Sequence, residues 1–527
     1  MLGLENKTLP GLVQWASSNF QGSTAVVDGH RTLNFEQLNQ QRQQVAKSFM
    51  ACGIKKGDTV AVWAPNMMEW MLAAIGLQSL GAILVPINTR LKGEEVVDLI
   101  SRSKAKMLIT IPDLWQNQLT DRDIVPLIIK LDFCIFLEGN VDGTKGVSWE
   151  KFRELGDSIS LEQLQTAERT VKPEDTMDMI FTSGTTGRPK GVLSSHEQNI
   201  SVFTTWVNTV KLSRKDRYLV VNPFFHTFGY KAGWLACLIG GATMIPMRQF
   251  QQKSILEKIQ AHKISVLPSA PSLYEMLLRE PHLQDYDLSS LRLAVTGAAT
   301  IPQRLIRDIQ EKLSFESVLT AYGLTESTGI VSMCQHGDTI EKIATTSGRA
   351  IDGVQIKCID PKTLQEVASG QEGEIWVRGY NVMQGYYQMP NETQQAITDE
   401  GWLRTGDIGV LDDEGYLKIT DRLKDMYIIN GHNVYPAEVE QAIYRCEWVS
   451  QAAVVGMPKS PQGEVGVAFI VPKEGREPDR DGLKAHCEAI LANYKLPYMF
   501  KFIESLPVNA AGKIQKLELR KMLPESQ

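Results

Sequence analysis

The chain has 527 residues, a length that usually divides among about two to four domains rather than building one core. At 43% hydrophobic and 22% charged residues it has the composition of a soluble globular protein, which excludes a disordered or fibrous chain. A net charge of -6 is small for this size; it argues against a nucleic-acid coat but leaves room for local basic pockets that hold anions. The seven cysteines form no CxxC pair and read as reduced core thiols. No apolar run approaches the ~18 residues that suggest a membrane span. The opening MLGLENKTLPGLVQW lacks a signal-peptide pattern and the closing LPESQ carries no address, so the expected location is cytoplasmic. Oligomeric state is not legible, and a homo-oligomer is compatible with everything read.

Helix and strand alternate along the first half. Leu38 to Ala51 reads as an amphipathic helix, Val60 to Ala64 as an apolar strand, Trp70 to Leu80 as helix and Ala82 to Pro86 as strand. Glu94 to Ser101 is predicted helical and Lys106 to Thr110 a strand. The rhythm returns at Tyr218–Val221 (strand), Lys231–Leu238 (helix), Thr243–Pro246 (strand), Ser254–Ala261 (helix), Val266–Leu267 (strand) and Leu291–Val295. Such alternation implies crossover units and largely parallel sheets flanked by helices.

From Gly353 the texture changes to short strands separated by Gly, Asp and Asn turns: Val354–Ile359, Gly373–Arg378, Gly409–Leu411 and Tyr416–Thr420. Near Asp421 a last unit begins. Pro436 opens a helix with Val439, Ala442, Ile443 and Cys446 on one face. Strands at Gln451–Gly456 and Gly466–Val471 follow, then a helical stripe of Leu483, Cys487, Ile490 and Leu491. The expected fold class is α/β: a large N-terminal domain over 1–421 with a β-rich subdomain, a hinge at 422–425, and a small α+β domain over 426–527.

Six stretches carry chemistry. Phe181-Thr182-Ser183-Gly184-Thr185-Thr186-Gly187-Arg188-Pro189-Lys190-Gly191 follows an apolar strand. Hydroxyls and glycines of this kind wrap phosphates, and Arg188 and Lys190 supply countercharge. It is not a Walker A loop, because Gly184 and Gly187 are too close and Lys190 precedes a glycine. In Thr320-Ala-Tyr322-Gly323-Leu-Thr325-Glu326-Ser a hydroxyl and a carboxylate follow a glycine turn; Mg²⁺ prefers such oxygen donors. Arg404-Thr-Gly-Asp407 offers a carboxylate suited to two ribose hydroxyls, and Thr420-Asp-Arg422-Leu-Lys424-Asp425 is a charged linker. Pro507-Val-Asn-Ala-Ala-Gly512-Lys513-Ile514 places a lysine just past a glycine near the C-terminus. Finally, Pro223-Phe-Phe-His226-Thr-Phe228-Gly-Tyr230-Lys231-Ala232-Gly joins a strand to a helix. There Phe228 and Ala232, four apart, can share a helical face. GxSxG, HExxH and GxGxxG are all absent.

The first of these strings resembles the signature of the adenylate-forming superfamily: acyl-CoA synthetases, adenylation domains of peptide synthetases, and beetle luciferases. The other motifs recur in that family's order over nearly the whole chain, and the branch it is most similar to is the acyl/aryl-CoA ligases. The resemblance implies ATP, Mg²⁺ and coenzyme A as cofactors and co-substrates. It implies that Thr182, Ser183, Gly184, Thr185, Thr186, Gly187 and Lys190 hold the phosphates and that Glu326, with Thr186, holds magnesium. It gives Thr325 the α-phosphate and Tyr322 and Gly323 the adenine. Asp407 and Arg422 take the ribose, and Gly297, Ala298 and Ala299 pass between nucleotide and acyl group. His226 guards the acyl entrance and Phe228, Ala232 and Gly297 line it. Lys513 is the mobile catalytic lysine of the small domain, Lys424 the hinge, and Gly431 the residue beside the pantetheine arm.

The reaction so implied joins a carboxylic acid to AMP with release of pyrophosphate, then passes the acyl group to a thiol. The run from Asn222 to Trp234, with Ala294 to Ala299, is most similar to FadD3-type acyl-CoA ligases, which activate a bulky alicyclic propanoate left by steroid ring degradation. Lys231, odd among Phe228, Tyr230 and Trp234, either donates to a ring ketone of that acid or snorkels to solvent from the opposite helix face. Medium- or long-chain fatty acids are the rival substrates. Loading of a carrier protein and non-catalytic nucleotide binding are the rival functions. The expected partners are small molecules, with no nucleic acid and no membrane span.

Overall fold

The structure is a computed structural model that describes residues 7–119, 131–139, 146–182, 189–297, 301–423, 425–429, 432–434, 436–459, 462–491, 493–508 and 514–523. The chain forms two compact units, one from Met1–Gln355 with Val377–Leu403, the other from Ile356–Trp376 with Arg404–Gln527. In this division the strands after Gly353 group largely with the C-terminal residues.

The first unit is built on mostly parallel sheets. Its largest has eight strands, in the order Gly385–Tyr386, Lys190–Ser195, Thr176–Thr182, Ile83–Pro86, Thr59–Trp63, Met107–Thr110, Phe133–Phe136, Gly146–Ser148. From Thr176–Thr182 to Gly146–Ser148 neighbours run parallel, and the two strands at the other edge are antiparallel. Thr59–Trp63 is buried along its whole length, which suits a central strand covered on both faces. The helix Met68–Gln78 is likewise buried at every residue, so it has no polar face to show water. The helix Phe35–Ala51 starts at Asn34, whose side chain accepts from the Gln37 amide while Gln37 reaches back to Asn34; that capping box satisfies two otherwise orphaned donors.

A second group of strands places Arg217–Val220 parallel to Thr243–Pro246, and Leu293–Gly297 parallel to Ser317–Tyr322. The strand expected at Val266–Leu267 is reduced to one bridging residue, Val266, with a parallel bridge to Tyr218 and another to Leu293; Pro268 follows at once and cannot donate to a ladder. The helix expected over Lys231–Leu238 opens instead as a π-helical segment, Tyr230–Leu235, and continues as Ala236–Gly240.

The second unit carries a sheet in the order Val354–Ile359, Glu372–Gly379, Leu403–Leu411, Leu417–Arg422. A hairpin unforeseen in the sequence follows, Tyr427–Ile429 with His432–Val434. Then come the helix Pro436–Tyr444, long paired strands Val449–Lys459 and Gly463–Pro472, the helix Arg480–Ile490 and the strand Met499–Phe502. Val439, Ile443, Val454, Phe469, Leu483 and Cys487 fill the core among them. None of the seven cysteines is in a disulfide, and five are buried. Among the described residues no helix is long and apolar enough to cross a membrane.

Candidate active site

The two described ends of the Ser/Thr/Gly motif belong to a β-hairpin. Thr176–Thr182 returns antiparallel as Lys190–Ser195, with Thr182 paired to Lys190 and Phe181 to Gly191. The loop's own Ser183, Gly184, Thr185, Thr186 and Gly187 lie outside the described residues, but both ends of it are fixed. Strand pairing therefore sets Lys190 directly opposite Thr182, at the mouth of the loop.

The short strand Gly385–Tyr386 lies against this hairpin, with Tyr386 paired to Val192. Tyr386 lies beneath the lysine, its ring centroid 4.8 Å from Lys190 Nζ. Its hydroxyl donates to Glu326 Oε1 at 3.1 Å, and Thr182 Oγ1 donates to the same oxygen at 3.4 Å. Burial, reinforced by the Glu326 charge, pushes the Tyr386 phenol well above its ordinary pKa, so it stays a donor. Tyr386 was not foreseen in the sequence. The signal available was the Gly-Tyr-Tyr cluster at 385–387.

Glu326 is placed by a tight turn. The strand Ser317–Tyr322 ends beside Gly297, which is paired to Ala321, so Tyr322, Gly323 and Gly297 gather at the C-terminal ends of two parallel strands, where α/β folds bind ligands. The chain then folds back so closely that a Cβ on Gly323 would stand 2.2 Å from the carbonyl oxygen of Gly329; glycine is required there. Thr325 and Glu326 follow in a single 3-10 turn, both half-buried, and the Glu326 carbonyl accepts from the Met383 amide at 2.9 Å. Ala298 and Ala299 lie outside the described residues.

In the second unit, Asp407 and Arg422 face each other across the pair Leu403–Leu411 and Leu417–Arg422, with Arg422 Nε 3.3 Å from Asp407 Oδ1. Gly406 holds a left-handed conformation at φ +69, which lets Thr405 Oγ1 accept from the Asp407 amide at 3.1 Å. Lys424, Gly431 and Lys513 lie outside the described residues.

His226 caps the short helix Thr227–Gly229, its Nδ1 accepting from the Phe228 amide at 3.2 Å. His226 is exposed, and the protein packed around its ring pulls its pKa below the ordinary histidine value. Phe228 is half-buried and Ala232 buried, but the π segment between them breaks the expected four-residue face, since its hydrogen bonds run to the fifth residue rather than the fourth. Lys231 does not snorkel. It is fully buried and its ammonium lies 3.1 Å from Asp178 Oδ1, because a carboxylate within the core offers it more than a reach to water.

The chain matches the AMP-binding enzyme family over residues 13–387 and the AMP-binding enzyme C-terminal domain over 438–513. It is 42% identical to a 3-[(3aS,4S,7aS)-7a-methyl-1,5-dioxo-octahydro-1H-inden-4-yl]propanoyl:CoA ligase of Rhodococcus jostii, over 97% of this chain and 98% of that protein. It is 41% identical to the Mycobacterium tuberculosis protein of the same name, over 98% and 99%. Among solved structures, the Bacillus subtilis o-succinylbenzoate CoA synthetase, in complex with its acyl-adenylate intermediate, superimposes with a TM-score of 0.80 at 25% identity, covering 97% of each chain. With the family matched in both parts of the sequence and these relatives aligned along nearly the whole length, the chain belongs to the AMP-binding enzyme family and is an AMP-forming acyl-CoA synthetase.

Proposed function

We propose that the acid activated is a bulky alicyclic propanoate derived from steroid rings, converted through an acyl-AMP to its CoA thioester. What supports the substrate is the name shared by the two bacterial relatives, each above 40% identity across the chain. What supports the assignment of the phosphate end is that Thr182 and Tyr386 both donate to Glu326 Oε1 while Lys190 lies over the Tyr386 ring, at the root of the Ser/Thr/Gly loop.

A carboxylate is a poor electrophile, and its approach to a triphosphate brings like charges together. Lys190 offsets that repulsion from the hairpin, and the loop amides and hydroxyls of Ser183 to Gly187 orient the phosphates. Lys513 adds a second ammonium while the carboxylate–phosphorus bond forms. Asp407 and Arg422 hold the ribose, Tyr322 and Gly323 the adenine, and Thr325 the α-phosphate. His226, Phe228, Ala232 and Gly297 face the acyl chain; Gly431 leaves room for the thiol arm of coenzyme A.

Magnesium fits the donors present. Glu326 offers a carboxylate whose Oε1 accepts from the Thr182 and Tyr386 hydroxyls, and a single carboxylate suits an ion that keeps waters and phosphate oxygens. Glu326, with Thr186, would hold it, and bound there it would neutralise phosphate charge.

The experiment is acid-dependent pyrophosphate–ATP exchange over a panel containing alicyclic propanoates, fatty acids and aryl acids, with mass analysis of products formed on adding coenzyme A. Exchange strongest with the alicyclic propanoate, followed by its CoA thioester, is the expected result. Preference for fatty acids overturns the substrate, and exchange without a CoA product points to carrier loading.

A further inference from the structure

The lysine that stands out in the sequence is part of a buried polar network. The side chains of Lys231 and Asp178 are 0% and 1% exposed, and Lys231 Nζ also donates to Ser194 Oγ at 3.3 Å. The other carboxylate oxygen of Asp178 accepts from Asn199 Nδ2 at 2.9 Å and from the Tyr230 hydroxyl at 3.3 Å. Tyr230 in turn accepts from Gln78 Nε2 at 2.7 Å. No atom of the ion pair is placed to touch a substrate.

Burial works against both charges. It raises the Asp178 carboxyl and lowers the Lys231 ammonium, with their mutual attraction opposing it in each case. Replacing such a pair by apolar side chains of similar volume is often neutral or stabilising. Stability alone therefore gives no reason for it, and the segments it joins do.

Asp178 lies in the strand Thr176–Thr182, which runs directly into the phosphate-binding loop. Lys231 lies in the π-helical segment Tyr230–Leu235, which follows His226 and Phe228. The wide turn is held at its carbonyls: the Ala236 amide donates to Lys231 O, and the Tyr218 hydroxyl takes the Ala232 carbonyl at 2.7 Å. Just before it, a Cβ on Gly229 would stand 2.2 Å from the carbonyl of Pro223, so this turn is pressed onto the loop that carries His226. π turns inside helices are uncommon and recur at functional sites.

We infer that Lys231 and Asp178 are a positioning pair: they lock the register of the π turn against the strand that feeds the phosphate loop, and so fix where His226 and Phe228 stand toward the acid. The inference rests on the acyl-CoA synthetase reading and names residues that set its choice of acid without touching it.

The test compares wild type with Lys231→Met, Asp178→Asn and the double variant Lys231→Met/Asp178→Leu, by thermal melting and by exchange kinetics with 3-cyclohexylpropanoate and octanoate. Each single variant leaves one group buried without its partner and melts below wild type. The double variant is expected to melt at or above the wild-type temperature. Its KM for ATP stays within about twofold, its KM for acid rises on the order of tenfold, and its ratio of kcat/KM between the two acids shifts. A double variant with wild-type acid KM and an unchanged acid ratio overturns the inference. So does one that fails to fold, which would make the pair a stability device. Wild-type protein that exchanges with no acid would remove the enzymatic reading itself and this inference with it, and is told apart because it appears before any variant is compared.

Discussion

The phenol of Tyr386 donates to Oε1 of Glu326 at 3.1 Å, while the face of the same ring lies 4.8 Å from the ammonium of Lys190. One side chain thus touches both the cation and the anion beside the paired ends of the hairpin, Thr182 and Lys190. Tyr386→Phe keeps the ring under Lys190 and removes only the hydrogen bond to a charged group, worth about 1.5–3 kcal/mol. The expected outcome is a fall in the adenylation rate of roughly ten- to a hundredfold with the KM for acid unchanged and the melting temperature lowered modestly, as loss of the bond requires. Exchange kinetics check it.

Asp407 is held by Arg422 across the strand pair and by the Thr405 hydroxyl at its own amide. If this carboxylate holds ribose hydroxyls, its loss removes binding that is made alike in ground state and transition state. Asp407→Ala is then expected to raise the KM for ATP on the order of tenfold or more while the KM for acid stays put. An equal change in both would mean that the residue shapes the fold and not the nucleotide site. Initial rates at varied ATP and varied acid separate the two.

The alternation of buried strands and helices was legible because periodicity is local: Thr59–Trp63 lies within a residue of where hydrophobic pattern placed it, and the helix Pro436–Tyr444 opens at the proline and ends two residues short of Cys446. The motif residues Thr182, Lys190 and Glu326 stood out in the sequence by type and order, and the structure groups them around Tyr386 and Glu326 Oε1. What stayed hidden was pairing over distance. Tyr386 meets Glu326 across 60 positions, from a two-residue strand too short to show a period. The partner of Lys231 lies on a strand 53 positions earlier, so the sequence offered either a ketone or water for an ammonium that Asp178 takes. The π segment was hidden for a related reason: one extra residue in a turn leaves the composition of a helix unchanged.

Lys513→Ala separates the two half-reactions. An ammonium that acts while the acyl–phosphorus bond forms has no work in the attack of a thiol on a finished acyl-AMP. The variant is expected to lose nearly all pyrophosphate exchange, yet to form CoA thioester from supplied acyl-AMP at a rate close to wild type. Both rates falling together would contradict a role confined to the first step. Rapid-quench measurement of each half-reaction decides.

His196 gives the fold a pH dependence of its own. It is fully buried at the start of the helix His196–Thr209, and its Nδ1 accepts from the Leu9 amide at 3.1 Å. Burial, aided by the charge of Lys56 and opposed by that of Asp175, pulls its pKa from 6.5 down to about 4. Between those values the unfolded chain binds a proton that the folded chain refuses, so stability rises with pH across the window and is lost as pH falls through it. The shift corresponds to about 3 kcal/mol. His196→Gln keeps a side-chain acceptor without a group that titrates there. Its melting temperature is expected to fall less steeply than that of wild type from pH 6.5 to pH 4, so that the two curves converge at the acid end. Parallel curves over that range would show that the imidazole does not govern the acid sensitivity. Scanning both proteins at half-unit intervals of pH distinguishes these outcomes.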